Sequence, residues 1–374
     1  MKGAIFMNEA YICSDCHQTY PVKDMPWKCK CGGVLDLLKE KVAFQNKNIH
    51  HQLPTMWRYV DALPFSKVAD SWKQVTMGEG NTPLISLEPN TSNTYVKVDY
   101  MMPTLSFKDR GAAVLIAKAK ELKVESVIAD SSGNAGTAIA AYAQRAGIAC
   151  DIFLSSDTSP KKVAQIKAHG ARIREVSGTR EDVAAAAQQA VHDEGKFYAS
   201  HVYNPYFYEG TKTYAYEIWE QLNGAPDTLI VPVGNGTLLL GAYYGFNELK
   251  DNGLIEKVPK IVAVQAKNCS PIHQAFNRGE KAATPISGQS TLAEGIAIAA
   301  PARSKQILSA IRDTGGDVIS VSEQDIQKAR TLLAEKGFYV EPTTAANYAG
   351  YLRYDCESAE KVVIPLCGAG IKAT

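Results

Sequence analysis

From about residue 90 onward the chain alternates between two textures. Short runs rich in β-branched residues precede longer segments in which alanines and polar residues recur at helical spacing. The runs are 95–100 (YVKVDY), 126–130 (SVIAD), 150–154 (CDIFL), 171–176 (ARIREV), 228–233 (TLIVPV), 260–266 (KIVAVQA), 317–322 (DVISVS) and 361–366 (KVVIPL). They predict strands. Helices are predicted over 134–147, 159–169, 181–194, 210–222, 237–250 and 323–336. Strand–helix alternation predicts an α/β protein with mostly parallel sheet covered on both faces. Ligands of such sheets sit beyond the carboxyl ends of strands, where small-residue turns feed helix N-termini.

The first 45 residues lack this rhythm. Residues 11–33 (YICSDCHQTYPVKDMPWKCKCGG) carry turn residues, little helical period and four cysteines, and a polar stretch at 39–52 reads as a link to the main body. No internal repeat or low-complexity tract interrupts the rest.

Composition narrows the classes. Hydrophobic residues make up 45% and charged residues 21% of 374, which excludes extended disorder. Lys+Arg 40 against Asp+Glu 39 leaves a net charge of +1, so no basic field points to nucleic acid as a partner. No apolar run approaches the ~18–20 residues of a spanning helix, so no membrane contact is expected. The start, MKGAIFMNEAYICSDC, has no apolar region of useful length before its polar residues, so no secretory signal is expected. Eight cysteines in so long a chain do not read as a disulfide scaffold, and a cytoplasmic location is expected.

Four turns hold candidate chemistry. In 228–240 a buried strand runs into Gly234, Asn235, Gly236 and Thr237 ahead of an apolar helix. Glycines let backbone N–H groups converge, and the helix adds its positive end, so the turn suits a phosphate. It would equally serve as a tight connection with no ligand. In 126–140 a strand enters Ser131, Ser132, Gly133 and Asn134, which suit a carboxylate or simply cap the helix. In 103–112 Lys108 opens an alanine-rich helix beside Asp109 and Arg110. Its amine is a solvated helix start unless a phosphate-anchored aldehyde stands nearby, with which it would form a Schiff base. In 361–372 a strand ends at Cys367 before Gly368-Ala369-Gly370. That thiol packs inertly or meets a ring nitrogen.

These turns, in this order, resemble the threonine synthase-like family of fold-type II pyridoxal-phosphate enzymes. The motifs that carry the resemblance are GEGNTPL (78–84), SFKDRGA (106–112), SSGNAGTAIAAYAQRAG (131–147), NPYFYEGTKTYAYEI (204–218), VPVGNGTLLLGAYYGF (231–246), AEGIAI (293–298), EPTTAA (341–346) and LCGAGIK (366–372). The resemblance implies two doubly wound domains with pyridoxal 5'-phosphate in the cleft between them. The larger is expected from 46–117 and 207–374, the smaller from 118–206, with 1–45 as a zinc-ribbon-like unit and linker. It implies that Lys108 forms the Schiff base and Asn134 hydrogen-bonds the cofactor's ring oxygen. The amides of Gly234, Asn235, Gly236, Thr237 and Leu238 would hold its phosphate, and Cys367 would face its pyridine nitrogen. Ser131, Ser132 and Gly133 would receive the carboxylate of a small amino-acid substrate. A homodimer is implied by the same resemblance.

The reaction so implied is phosphate elimination from O-phosphohomoserine with water addition to give L-threonine. Two departures bear on the substrate. Phe207 stands where the family commonly carries an arginine, and Leu238 where it often carries an asparagine. Lys212, Thr211 or Arg110 would have to compensate. The alternative is β-elimination or β-replacement on another amino acid, as in a dehydratase, an ammonia-lyase or a cysteate synthase-like enzyme. A catalytically silent cofactor-binding regulator is a third reading, opposed by the intact Lys108, Asn134 and glycine turn.

The leading unit pairs Cys13-x2-Cys16 with Cys29-x-Cys31. Two cysteine pairs at short range predict a tetrahedral thiolate site for structural zinc. CxC stands where the family usually shows CxxC, and His17 is a competing ligand.

Overall fold

The computed structural model describes residues 9–40, 44–65, 70–89 and 93–373. The opening residues, on which the secretory reading rests, and 41–43 of the expected link lie outside the described residues. The chain divides into two compact units, residues 1–79 with 108–210 and residues 80–107 with 211–374.

The first unit begins with a small antiparallel sheet of β1 (Ala10–Cys13), β2 (Thr19–Pro21) and β3 (Leu35–Leu38), in the order β2-β1-β3. Its main sheet holds β6 (Ser126–Ala129), β7 (Ala149–Ser155), β8 (Arg172–Val176) and β9 (Phe197–Tyr198), all parallel, in the order β8-β7-β6-β9. Strands β4 (Leu84–Ser86) and β5 (Thr94–Lys97) belong to the second unit. Helix α1 (Lys108–Glu121) is buried all the way from Asp109 to Ala119. A helix buried on every side is a core helix, its charged Asp109, Arg110 and Lys118 included, and its alanines let α2 (Asn134–Ala146) pack closely. Helices α3 (Pro160–Ala168) and α4 (Arg180–Glu194) complete the layers, and α4 lays Val183, Ala187 and Val191 on Ile128, Phe153 and Tyr198.

The chain crosses to the second unit within α5 (Pro205–Thr211). Helix α6 (Thr213–Leu222) follows. Then come β10 (Thr228–Pro232), α7 (Thr237–Asp251), β11 (Lys260–Ala266), α8 (Pro271–Asn277), α9 (Ser304–Asp313), β12 (Asp317–Val321), α10 (Glu323–Glu335), α11 (Pro342–Tyr351) and β13 (Val362–Pro365). The six-stranded sheet has the order β12-β11-β10-β13-β5-β4, parallel except for β4 on its edge. Strands β10 and β13 are buried at every position, so they read as unbroken apolar runs rather than alternating ones.

Every strand and helix named from the sequence is present, with ends shifted by a few residues. The unit boundaries differ from those drawn there. Residues 46–79 and 108–117 belong with the four-stranded sheet's unit. The reason is apolar packing: Trp57, Phe65 and Val75 share one core with α1 and α2, and Trp72 stacks on Trp57 at 5.2 Å. No helix among the described residues is long and apolar enough to cross a membrane.

Candidate active site

In the first unit, β6 ends at Ala129 and four residues turn the chain into α2. Gly133 is the N-cap, and its N–H donates to Ser131 Oγ at 3.3 Å, so that hydroxyl shapes the turn. Gly136 cannot carry a side chain, because a Cβ there would lie 1.7 Å from the Ser131 carbonyl oxygen. The turn therefore folds tightly back on the helix start. Ser132, Gly133 and Asn134 remain half-buried, within reach of a ligand.

Lys108 is the first residue of α1 and is half-buried. Its Nζ lies 5.6 Å from the centroid of the Phe207 ring, which is fully buried. The His201 ring meets the Phe207 ring edge-on at 6.0 Å. Burial holds the His201 pKa well below its ordinary value, and the charges of Lys108 and then Arg180 push the same way. A neutral imidazole and an aromatic face thus neighbour the lysine. His201 was not picked out from the sequence, where it is one histidine ahead of an Asn-Pro pair.

In the second unit, β10 delivers Val233 to the glycine turn, and Gln265 Nε2 donates to the Val233 carbonyl at 3.1 Å. Gly236 has φ 77°, the left-handed region that glycine enters without strain. Helix α7 starts at Thr237 with its first turn buried. Thr211 Oγ1 donates to the Thr237 carbonyl at 3.0 Å, and Lys212 Nζ pairs with Glu248 at 3.1 Å. Two of the three candidate compensators thus make contacts within this unit, and the third, Arg110, is wholly buried and partnered in α1. Leu238 is buried. Cys367 is buried at the end of β13, with Sγ 4.0 Å from the Pro365 carbonyl. Its own carbonyl accepts the N–H of Phe107, the residue just before Lys108. Glu341, in the EPTTAA motif, donates its N–H to the Gly368 carbonyl at 3.1 Å. Two motifs far apart in sequence meet there.

The cysteine unit lies in the first unit. Cys13 and Cys31 Sγ are 3.5 Å apart, as are Cys16 and Cys29, and all four sulfurs lie within 4.8 Å of one another. Zinc–sulfur bonds of ~2.3 Å in a tetrahedron set sulfurs about 3.8 Å apart, so the quartet fits zinc. The shortened CxC spacing does not prevent this, and His17 is not part of the quartet. The N–H groups of Asp15 and Cys16 point at Cys13 Sγ at 3.4 and 3.5 Å, which suits a thiolate. The Tyr20 hydroxyl, 3.1 Å from Cys29 Sγ, draws that thiol down to about 6.

The family described as "Pyridoxal-phosphate dependent enzyme" matches residues 75–368. The chain belongs to this family. Within it, the chain is 35% identical over 376 residues to a threonine synthase of Methanocaldococcus jannaschii, covering 96% of this chain and 92% of that one. It is 35% identical over 349 residues to a threonine synthase of Methanosarcina acetivorans, covering 90% and 85%. In fold it is similar to maize serine racemase, with a TM-score of 0.68, 22% identity and 77% and 88% of the two chains covered. Threonine deaminase isoform 2 of Solanum lycopersicum gives a TM-score of 0.68 at 20% identity, covering 88% and 92%. The enzyme is a threonine synthase-like, pyridoxal-phosphate-dependent lyase of fold type II.

The residues fit that cofactor. A glycine turn at the start of a fifteen-residue helix offers converging N–H groups to a phosphate. A half-buried lysine amine offers the nucleophile for an aldehyde.

Proposed function

We propose that this enzyme converts O-phosphohomoserine and water to L-threonine and inorganic phosphate. The observation that carries the reading is the likeness to threonine synthases along nearly the whole chain. Bound pyridoxal phosphate supplies a conjugated ring that accepts electrons and so acidifies the Cα–H of the amino acid. In this reading Gly234, Asn235, Gly236, Thr237 and Leu238 hold the cofactor's phosphate through their N–H groups. Asn134 donates to its ring oxygen. Ser131, Ser132 and Gly133 orient the substrate carboxylate at the positive end of α2. Lys108 binds the aldehyde and then moves protons at Nζ, where the buried Phe207 ring limits water. The Cys367 thiol is a weak partner for a pyridine nitrogen, which favours elimination and replacement over transamination.

A second reading, elimination or replacement on an unphosphorylated amino acid, is favoured by one observation. Phe207 and Leu238 are both buried and apolar, and Lys212 is paired with Glu248. Steady-state turnover decides. Threonine and phosphate released in equal amounts support the first reading. A cofactor-loaded enzyme that makes neither at millimolar substrate overturns it.

The reading also includes structural zinc on Cys13, Cys16, Cys29 and Cys31, supported by the sulfur geometry. A cytoplasmic enzyme is supported by a cysteine usage that suits a reducing compartment, four grouped as metal ligands and four scattered, and a homodimer by resemblance to the family.

A further inference from the structure

A phosphate ester carries nearly two negative charges and needs a guanidinium, an ammonium or several donors around it. The positions where the resemblance would supply them hold Phe207 and Leu238. The three side chains next in line are occupied: Lys212 by Glu248, Thr211 by the Thr237 carbonyl, and Arg110 by partners in the core around α1. The first unit carries a different set of polar groups along the carboxyl edge of its sheet.

Strands β6 and β9 run parallel, with Ile128 opposite Tyr198 and the Ala199 N–H donating to the Ile128 carbonyl at 2.8 Å. Just beyond the paired residues, Asp130 and Ser131 leave β6 and Ser200 and His201 leave β9 at the same end of the sheet. Val183 of α4 packs on Ile128 and Tyr198. Arg180 precedes Val183 by three residues on the same helix face and is the exposed first residue of α4. The end of α4 is already closed by the Thr179–Asp182 capping box, so the feature is the Arg180 side chain and not the helix terminus. Asp130 and His201 both feel the Arg180 charge.

Two buried atoms on this edge are unsatisfied. Neither Asp130 Oδ1 nor Tyr198 Oη makes a hydrogen bond, although the two groups are close enough for each to shift the other's pKa. Tyr198 is only 2% exposed, and buried polar atoms without partners are rare. Trp27 of the cysteine unit closes the far side of Tyr198, edge-on at 5.4 Å.

We infer that Arg180 and His201, together with Asp130 and Tyr198, form the subsite for the substrate's distal phosphate. The inference rests on the phosphorylated-substrate reading above and names the groups that replace the missing arginine. Arg180 supplies the fixed positive charge. The neutral His201 ring supplies one N–H donor, since burial keeps it unprotonated. Asp130 steadies the guanidinium in the free enzyme, and the incoming phosphate favours its protonated form, which donates. The subsite adjoins Ser131–Gly133, so one amino acid reaches both anion sites.

The test uses holoenzyme and the phosphonate isostere of O-phosphohomoserine, in which a methylene replaces the bridging oxygen. L-norvaline, the same chain without the phosphonate, is the control. Binding is read from the cofactor's absorbance during titration. Wild type should bind the phosphonate at least tenfold more tightly than norvaline. Arg180→Ala should lose tenfold or more for the phosphonate with norvaline unchanged, and Arg180→Lys should recover part of it. His201→Asn should weaken the phosphonate selectively too, with norvaline binding reporting an intact pocket. If wild type prefers the phosphonate while Arg180→Ala and His201→Asn leave that preference whole, this subsite is wrong and the phosphorylated substrate stands. If wild type shows no preference, both fall together.

Discussion

One aromatic ring covers both the amine of Lys108 and the helix face beside it. Lys108 Nζ is 5.6 Å from the Phe207 centroid, and a Cβ added at Gly111 would lie 2.3 Å from the same ring. Lys108 and Gly111 are three residues apart and so lie on one face of α1. The phenylalanine that departs from the family pattern is thus a packing element, seated where glycine leaves room.

Gly111→Ala should therefore displace the Phe207 ring. Overpacking a filled core costs roughly 1–3 kcal/mol. Urea unfolding should show that loss, and the absorbance of bound cofactor should shift because the ring beside Lys108 has moved. An alanine variant with wild-type stability and spectrum would show that the ring is not held there.

Lys108→Ala should abolish the borohydride-reducible link to pyridoxal phosphate. Peptide mapping of the reduced wild-type protein should find the label on Lys108. A label on another lysine, with Lys108 unmodified, would reassign the cofactor site.

Much of this was legible in the sequence because buried parallel strands are apolar without interruption. β10 and β13 advertise themselves, and the glycine turn follows β10 directly. β9 escaped notice because it has only two residues, Phe197 and Tyr198. The helices α8 and α11 are masked by prolines and polar residues near their starts, and α9, though its Ile307, Leu308, Ala310 and Ile311 fall on one helical face, spans barely three turns. His201, Asp130 and Arg180 are ordinary residues at scattered positions. Only strand pairing and helix packing bring them to one edge, and neither leaves a local signature. The unit boundary at residue 80 was hidden for the same reason, since Trp57 and Trp72 choose their unit through tertiary packing.

Lys97 and Glu217 tie two motifs together in the second unit. Lys97 Nζ is 2.7 Å from Glu217 Oε2, and both side chains are almost wholly buried. Glu217 also accepts the Asn81 N–H at 2.7 Å, in a turn where Asn81 has φ 50°. Lys97 donates further to the Thr82 carbonyl and to Gln221. Removing one partner strands a buried charge, at a cost of about 3–5 kcal/mol. Lys97→Met should therefore lose that much in denaturant unfolding, and adding Glu217→Met should restore part of it. Additive losses in the double variant would mean that the two charges do not depend on each other.

The cysteine quartet should hold about one zinc per chain. Trp27 of the same unit packs on Tyr198 at 5.4 Å and on Tyr203 at 5.1 Å, so loss of metal should alter tryptophan fluorescence. Cys29→Ser should lower zinc content and produce the same fluorescence change. Protein purified without chelator that contains no zinc would remove the metal from this account.

Asp130 gives the stability curve a readable slope. Burial raises its carboxyl from the ordinary 3.8 to about 6, with the Arg180 charge among the opposing influences. The folded state then binds more protons than the unfolded state between about pH 4 and 6, so stability falls as pH rises through that window. Below it, both states are protonated and the penalty is absent. Above it, keeping the buried carboxylate ionised costs roughly 2–3 kcal/mol. Asp130→Asn mimics the protonated form. It should match wild type near pH 4 and exceed it at pH 7–8, by an amount that grows between those limits. Thermal or urea unfolding of the two proteins across that range gives the difference directly. A variant less stable than wild type at pH 8 would mean that the ionised Asp130 is stabilised by its neighbours, with Arg180 outweighing burial.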